Sequence, residues 1–560
     1  NGPCMTVCPR FDHDCEQVNR VLPNFMYPHR RANAGLGWTL SLGRLYQADH
    51  PALLNRNVWT YESPDGADHV FEGSGSATYS QDGSYLRMML VPDLTTSDPN
   101  DYRRTPDLST PDPNDYLYWQ QIEFPDGTTH IFQPPTAYND YYALETIKNR
   151  HAGNFVNFTY GPVPDWSNGV RWTMTDSHGR THYVDFQRFN FDGEQRLLVK
   201  RVLLSVWDPE GDKADFEFEY SQQTYGRGEF QNDNEHVEPG QGNYATVAVL
   251  DRVILPDATK FEFTYRNSGM LENNGVPESM SVPTGGMVSW EWADYVKPVA
   301  SVQTGEEYYQ YSLGVVKRHL KGKVPTGGGS RPVIGTWTYE PTPFSVTPPG
   351  WEWPDCYHLA INPSTDQYCH EYRTTITDPL GNKTINFFSV ATNNMLSPWL
   401  ESEYGLPFTK FTGDGTPAPN TRWLSKQVLG AGSTSPLRST FVRYVYDFPA
   451  REESKRIRFD DDQGTYLDSD SSGWDSFGHY RTQVTSGTVP GTPTRTSYTN
   501  YATVTNANRD NPAFPWILGL YDYATASEKG RPLRTAFCFD ANAGFLKQRR
   551  SGKDAASAGA

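Results

Sequence analysis

The densest cluster of chemistry-bearing side chains in the sequence runs through Asp460, Asp461, Asp462, Asp468, Asp470, Ser472, Gly473 and Asp475. Within it, Asp468-Ser469-Asp470-Ser471-Ser472-Gly473 sets oxygen atoms at alternate positions, as the first half of a calcium loop does. A hard cation would take Asp468, Asp470, Ser472 and Asp475, so calcium is the one cofactor the spacing suggests. His479 stands where such a loop carries its bidentate Glu. Charge runs more often face water, so the rival reading is a solvated acidic loop.

Cysteine offers a second chemistry. The chain has 6 cysteines: Cys4, Cys8, Cys15, Cys356, Cys369 and Cys538. An even count in a polar, Tyr- and Asn-rich chain fits an oxidising compartment. Cys356 and Cys369 enclose a short loop and are expected to pair. One of the first three is then left to reach Cys538 or to stay free. Alternatively Cys4, Cys8, His13 and Cys15 form a zinc set, although their C-x3-C-x6-C spacing matches no ordinary zinc signature.

Catalytic signatures are missing. There is no G-x-S-x-G elbow, no H-E-x-x-H and no phosphate-cradling G-x-x-x-x-G-K-[ST]. Gly35-Leu36-Gly37 opens no helix, which argues against a dinucleotide. Glycoside hydrolysis needs two carboxylates roughly 5–10 Å apart, and the sequence places no such pair, Glu217 with Glu262 included. Trp38, Trp59, Trp119, Trp172, Trp207, Trp290 and Trp292 are read as wall packing, since large rings bury readily. The expectation is a protein that is not an enzyme.

The elements that carry these residues repeat one phrase. In LLSVWDPEGDKADFEFEY, an apolar run from Leu203 to Trp207 meets a turn at Asp208-Pro209-Glu210-Gly211, and Phe216, Phe218 and Tyr220 then alternate with acids. The phrase recurs around Asp65-Gly66, Asp126-Gly127, Asp176 to Gly179, Asp257, Asp378 to Gly381 and Asp475 to Gly478. Pro presets φ, Asp bonds back to the backbone, and Gly takes positive φ without steric cost. Alternating aromatics make a half-buried strand. One hairpin is barely stable alone, but many in succession form a continuous sheet. Residues 92–115, 222–243 and 341–370 read as insertions, and 412–421 and 485–497 as Gly/Pro/Thr linkers.

Composition agrees with β structure. The 560 residues include 34 Tyr, 28 Phe, 15 Trp, 47 Gly and 42 Pro, and no three-turn amphipathic helix pattern is found. The net charge of −17 argues against nucleic acid and anionic membranes. No stretch of ~18 apolar residues could cross a membrane as a helix. Asn1 is not an initiator Met, which fits a mature or trimmed secreted product. Asn157-Phe158-Thr159 and Asn382-Lys383-Thr384 are glycosylation sequons, relevant only in a glycosylating host.

Together these phrases resemble the Rhs/YD-repeat family, which includes bacterial Rhs proteins, cocoon subunits of toxin complexes and the teneurin barrel. Gly35, Gly37 and Trp38 lie in Ala34-Gly35-Leu36-Gly37-Trp38, similar to the Gly-x-Gly-Trp motif that opens the family's repeat region. Leu144-Glu145-Thr146-Ile147 through Tyr160, and Val249 through Tyr265, are similar to its repeat phrase. The resemblance implies an all-β fold, a long antiparallel hairpin ribbon wound into a hollow shell with few helices. It implies a non-enzymatic shell segment that encloses or presents a polypeptide cargo, or the C-terminal remainder of the same protein. Some family members cleave themselves at an Asp-Pro-x-Gly-Leu motif near the shell's end, whereas Asp378-Pro379-Leu380-Gly381-Asn382 and Asp208-Pro209-Glu210-Gly211-Asp212 lack the final Leu. Both read as turns.

The expected organisation is a Cys-containing segment 1–33, a first part of the shell over 34–340, a stapled insertion 341–372, continuing shell over 373–550 and a disordered tail 551–560. The expected setting is secreted or at the cell surface, without nucleic acid and without a membrane span. The alternative function is an extracellular adhesin with a cell-surface or glycan partner; a polysaccharide-active enzyme ranks below both.

Overall fold

The computed structural model is all-β, with 33 strands among the described residues and helical conformation at Arg509 alone of them. It describes residues 33–35, 37–50, 56–72, 77–80, 82–93, 102–106, 116–135, 141–150, 153–164, 166, 168–191, 194–206, 213–226, 244–266, 276–301, 307–343, 371–389, 392–393, 423–445, 451–459, 464–491, 493–501, 509–511, 514–528, 531–540 and 544–552.

One five-residue hairpin loop recurs. At Phe124-Pro125-Asp126-Gly127-Thr128, the Phe124 N–H donates to Thr128 O (2.8 Å) and the Gly127 N–H to Phe124 O (2.9 Å). Gly127 has φ +85°, and Asp126 Oδ1 accepts from the Thr128 N–H at 2.8 Å. The same frame holds Ser63–Ala67, Leu255–Thr259 and Val282–Gly286. Asp176–Arg180 and Asp378–Asn382 keep the frame but move the acid to its first position. There Asp378 Oδ1 accepts from the Leu380 and Asn382 N–H groups at 2.9 and 2.8 Å. A turn followed by a left-handed residue matches the twist of the strands it joins, and a carboxylate satisfies the amides the loop leaves over. Asp475–His479 is a variant, with Ser476 at φ +68° and Gly478 at +94°. Asp208 and Gly211 lie outside the described residues, as do Trp207 and Asp460 to Asp462.

Before the ribbon starts, the chain closes a ring. Its strands are β1 (Arg44–His50), β2 (Arg56–Glu62), β3 (Asp68–Glu72), β4 (Ala77–Ser80) and β5 (Arg87–Leu90). β6 (Arg104–Pro106) and β7 (Tyr116–Tyr118) form a separate two-stranded sheet, followed by β8 (Gln120–Glu123), β9 (Thr129–Gln133) and β10 (Tyr142–Lys148). β1 pairs with β2, each strand pairs with the next through β5, β8, β9 and β10, and β10 returns to β1 through Leu45↔Tyr142. The interior is filled: Leu45, Tyr61, Phe71, Met88, Ile122, Phe132 and Leu144 come from seven different strands and form one cluster. Closure of this kind removes sheet edges. β6 lies within residues 92–115, which the sequence reads as an insertion, and β7 directly follows them.

The other half of β10 pairs with strand Phe155–Pro162, and from there an antiparallel ribbon runs to strand Leu546–Gly552. Each strand pairs with its successor, apart from the short Thr392–Asn393 strand, which pairs in parallel with Met287–Ser301. The Gly35–Trp38 turn packs on the ribbon's first strands. Trp38 Nε1 donates to Tyr265 Oη (2.9 Å), and a Cβ at Gly35 would lie 2.8 Å from the Leu250 backbone nitrogen. Farther along, strands Tyr466–Trp474 and Tyr480–Gly487 bury no residue fully on either face, as in a wall one sheet thick. Residues 485–487 and 495–497, within the stretch read as linker from composition, are strand. Ser551 and Gly552 likewise belong to the last strand.

The registers give the ribbon two unlike rims. Ile254↔Lys260, Ser281↔Met287, Thr377↔Lys383 and Val428↔Arg438 put the tight turns on one rim. The longer connections leave from the other, after Gly226, Arg266, Ser301, Pro343 and Val445. The result is a closed, barrel-like shell of antiparallel strands.

Candidate functional site: the seam that closes the shell

The candidate metal ligands sit in a strand, not a loop. Asp468, Asp470 and Ser472 fall in Tyr466–Trp474, opposite Arg456, Ser454 and Thr482. Asp468 takes Arg456 Nε and Nη2 at 2.6 and 2.7 Å, and Asp470 accepts from Ser454 Oγ at 2.7 Å. Asp475 accepts from the backbone of Phe477 and His479, and its Oδ2 lies 2.9 Å from His479 Nδ1. The strand therefore spreads these oxygens over ladder partners rather than folding them round a centre. Among the described residues no group of three or more His, Cys, Asp or Glu side chains is arranged to hold a metal ion. Cys538 is a free, exposed thiol. Cys4, Cys8, His13, Cys15, Cys356 and Cys369 lie outside the described residues.

What the fold does bring together is its beginning and its end. Three turns on the tight-turn rim of the ring, at 80–86, 124–128 and the exit of β10, meet the long-connection rim of the late ribbon. The docked piece is residues 509–511 and 514–518. Trp516 Nε1 donates to Tyr85 O (2.8 Å) across 431 positions of sequence. The Leu518 N–H donates to Pro125 O at 2.9 Å, and Asp126 forms a β-bridge with Ile517. Tyr79 Oη donates to Arg509 O at 2.9 Å and to Asp510 Oδ1 at 2.6 Å. Trp516, Ile517 and Leu518 are buried. Two glycines make room: a Cβ on Gly127 would lie 2.9 Å from Ile517 Cγ1, and one on Gly478 would lie 3.0 Å from the Tyr85 ring.

Arg87 is the centre of the seam. It is 0% exposed, and its guanidinium touches three elements. Nε donates to Glu123 Oε2 (2.5 Å), Nη1 to Arg509 O (2.8 Å) and Asn511 O (3.3 Å), and Nη2 to Phe514 O (2.7 Å). The cation lies 4.6 Å from the Trp516 ring centroid. A planar fork of donors suits this convergence of carbonyls and carboxylate, where an ammonium would not. Burial pushes the Glu123 carboxyl up, against the opposing pull of Arg87. Nearby, His130 is packed between Phe124 and Phe132, and burial pushes its pKa down to about 4. It is therefore neutral near pH 7.

Three of the aromatic side chains singled out from sequence show wall packing. Trp172 is buried against Phe186, Trp59 meets Tyr142 edge-on, and Trp292 Nε1 donates to Pro277 O at 2.7 Å. The seam was invisible in the sequence. Asn511-Pro512-Ala513-Phe514-Pro515-Trp516-Ile517-Leu518 has no strand alternation; Asn511-Pro512 signals a turn, closed by the Phe514 N–H to Asn511 O at 3.0 Å, but nothing in the segment names partners hundreds of residues away.

No family model and no curated protein matches the chain. Among solved structures, a crystal structure of TcdB2-TccC3 is similar at 10% identity and a TM-score of 0.24. The match covers 93% of this chain and 41% of that one, so the chain spans about two fifths of its length. At that score the likeness carries no argument about this chain.

Proposed function

We propose that this chain is a non-enzymatic shell segment of Rhs/YD type, secreted or surface-exposed, whose wall encloses or presents a polypeptide. The observation that carries the reading is the seam. A ribbon whose first turns grip its own strands more than 400 residues later, through a fully buried Arg87, is built to surround something. The thin wall and the absence of a catalytic signature point the same way. The chemistry that stands out goes to turns and joints: carboxylates cap loops, aromatics pack walls, and arginines bridge strands.

Small-angle scattering on the protein tests this directly. The expected distance distribution is that of a hollow particle, with a radius of gyration above the ~25 Å of a solid 560-residue domain. A solid, compact particle would overturn the reading. Glycan-array binding or hydrolase activity on polysaccharide would replace it with the adhesin or the enzyme.

A further inference from the structure

The tight-turn rim is covered in the ring, while farther along no described residue covers it, and the two stretches differ in what they show to solvent. Three neighbouring tips, 322–332, 378–382 and 430–437, belong to consecutively paired strands and touch one another. A Cβ at Gly335 would lie 2.8 Å from Pro379 Cγ, and the Ala431 N–H donates to Asn382 Oδ1 at 3.2 Å. Together they expose Val333, Ile334 (65%), Leu380 (80%) and Leu437 (60%). Scattered apolar residues are normal on a surface, but four exposed large ones on three adjoining tips mark an interface. An open groove of about 440 Å³ runs there, its lining including Ile334, Gly335, Thr336, Thr338, Thr377 and Pro379, with the Thr336 hydroxyl 2.9 Å from His319 Nδ1.

Charge identifies the partner. On a chain of net charge −17, this rim is flanked by the exposed cations Lys323, Lys383 and Arg438. The acid at its centre, Asp378, is folded back onto the Leu380 and Asn382 amides. The molecule also shows what such a rim can hold. In the ring, the corresponding turns grip an irregular apolar segment through Trp516, Ile517 and Leu518 and through backbone bonds such as Leu518 N–H to Pro125 O.

We infer that the bare rim at 322–437 is a docking site for an extended polypeptide segment that carries bulky apolar side chains flanked by carboxylates. The exposed apolar side chains would take the segment's side chains, and the cations its acids. A lipid surface would use the same cations but would have no need of a groove. The site stands independently of whether the shell holds cargo.

The probe is a fluorescent synthetic peptide with the sequence of residues 509–520, flanked by two Glu on each side. Anisotropy on the full chain is expected to show saturable binding with a Kd on the order of 10–100 µM. Ile334→Ser combined with Leu380→Ser alters only exposed positions and is expected to weaken binding at least about tenfold with Tm unchanged. Lys323→Glu combined with Lys383→Glu is expected to reverse the preference, so that a Lys-flanked peptide binds better. No saturable binding overturns the inference, as does equal binding by the serine variant. Loss of cosedimentation with phosphatidylglycerol-containing vesicles in the serine variant, with no peptide binding by the parent, would assign the rim to lipid instead.

Discussion

At the scale of the residue, one loop frame is served by two placements of aspartate, and its left-handed position discriminates side chains. That position is Gly in Ser63–Ala67, Phe124–Thr128, Val282–Gly286 and Asp378–Asn382, but Ala258 in Leu255–Thr259, at φ +63°. An L-residue with a Cβ pays roughly 1 kcal/mol there. Ala258→Gly is therefore expected to stabilise that hairpin by about 0.5–1 kcal/mol, read as slower amide exchange at Lys260 and Phe261. Gly66→Ala meets nothing within 4 Å and costs only the φ term, whereas Gly127→Ala also collides with Ile517 and Arg150. Thermal unfolding should rank Gly127→Ala clearly below Gly66→Ala. The loop acids also set a pH dependence. Hydrogen bonds from Thr259 hold Asp257 below the usual carboxylate range, and one from Asn382 does the same for Asp378. A depressed folded-state pKa contributes stability above the unfolded value near 4, and that stability is lost as pH falls through the folded value. His130 acts in a higher window. Its folded value of about 4 lies below the unfolded ~6.5, so stability falls between about pH 6.5 and 4 as the unfolded chain takes the proton. His130→Phe is expected to flatten that upper window and leave the loss below pH 4 intact, as followed by melts at half-unit steps.

At the scale of the element, strand register decides which charges matter. Arg171↔Asp185 and Asp185↔Arg201 place three charges side by side on strands Val170–Asp176, Thr181–Phe191 and Glu194–Ser205. Asp185 is 0% exposed and takes Arg171 at 2.6 and 2.8 Å and Arg201 at 2.8 Å. Removing the acid leaves two half-buried guanidiniums facing each other, so Asp185→Leu is expected to cost about 3–5 kcal/mol in chemical denaturation. Arg180→Ala, in an exposed pair with Asp176, is expected to cost under about 1 kcal/mol. The hairpins themselves were legible in the sequence because each depends on neighbours in the chain: alternation makes the strand, and Pro, Asp and Gly make the turn. Register was not, since a strand such as Thr181–Phe191 reads identically whichever partner lies beside it. The acidic run at Asp468 is an instance. As a string it resembles half a calcium loop; in the sheet the alternation follows the pleat of Tyr466–Trp474, with Arg456 and Ser454 opposite Asp468 and Asp470.

At the scale of the whole molecule, the two rims of the ribbon differ, and the fold uses the difference. The margin of tight turns at the chain's beginning receives the margin of longer connections near its end, as adjacent edges of a spiral meet. Long-range closure of this kind carries no local signal, because neither Tyr85 nor Trp516 lies within a pattern that names its partner. Its energetics are nonetheless concentrated. Arg87→Met strands the Glu123 carboxylate without its cation and frees three carbonyls, an expected cost of about 3–5 kcal/mol. Trp516→Ala removes the ring beneath that cation and the Tyr85 hydrogen bond, an expected cost of about 3–5 kcal/mol. Because both changes break one joint, the double variant should fall short of the sum by more than about 1 kcal/mol. The same variants should accelerate amide exchange at Trp516, Ile517 and Leu518 while leaving strands Tyr183–Phe186 protected, since a sheet one layer thick can open at its margin without melting its interior. Strict additivity of Arg87→Met and Trp516→Ala, or uniform loss of protection along the ribbon, would show that the two ends are held by the wall as a whole and that the seam is incidental to closure.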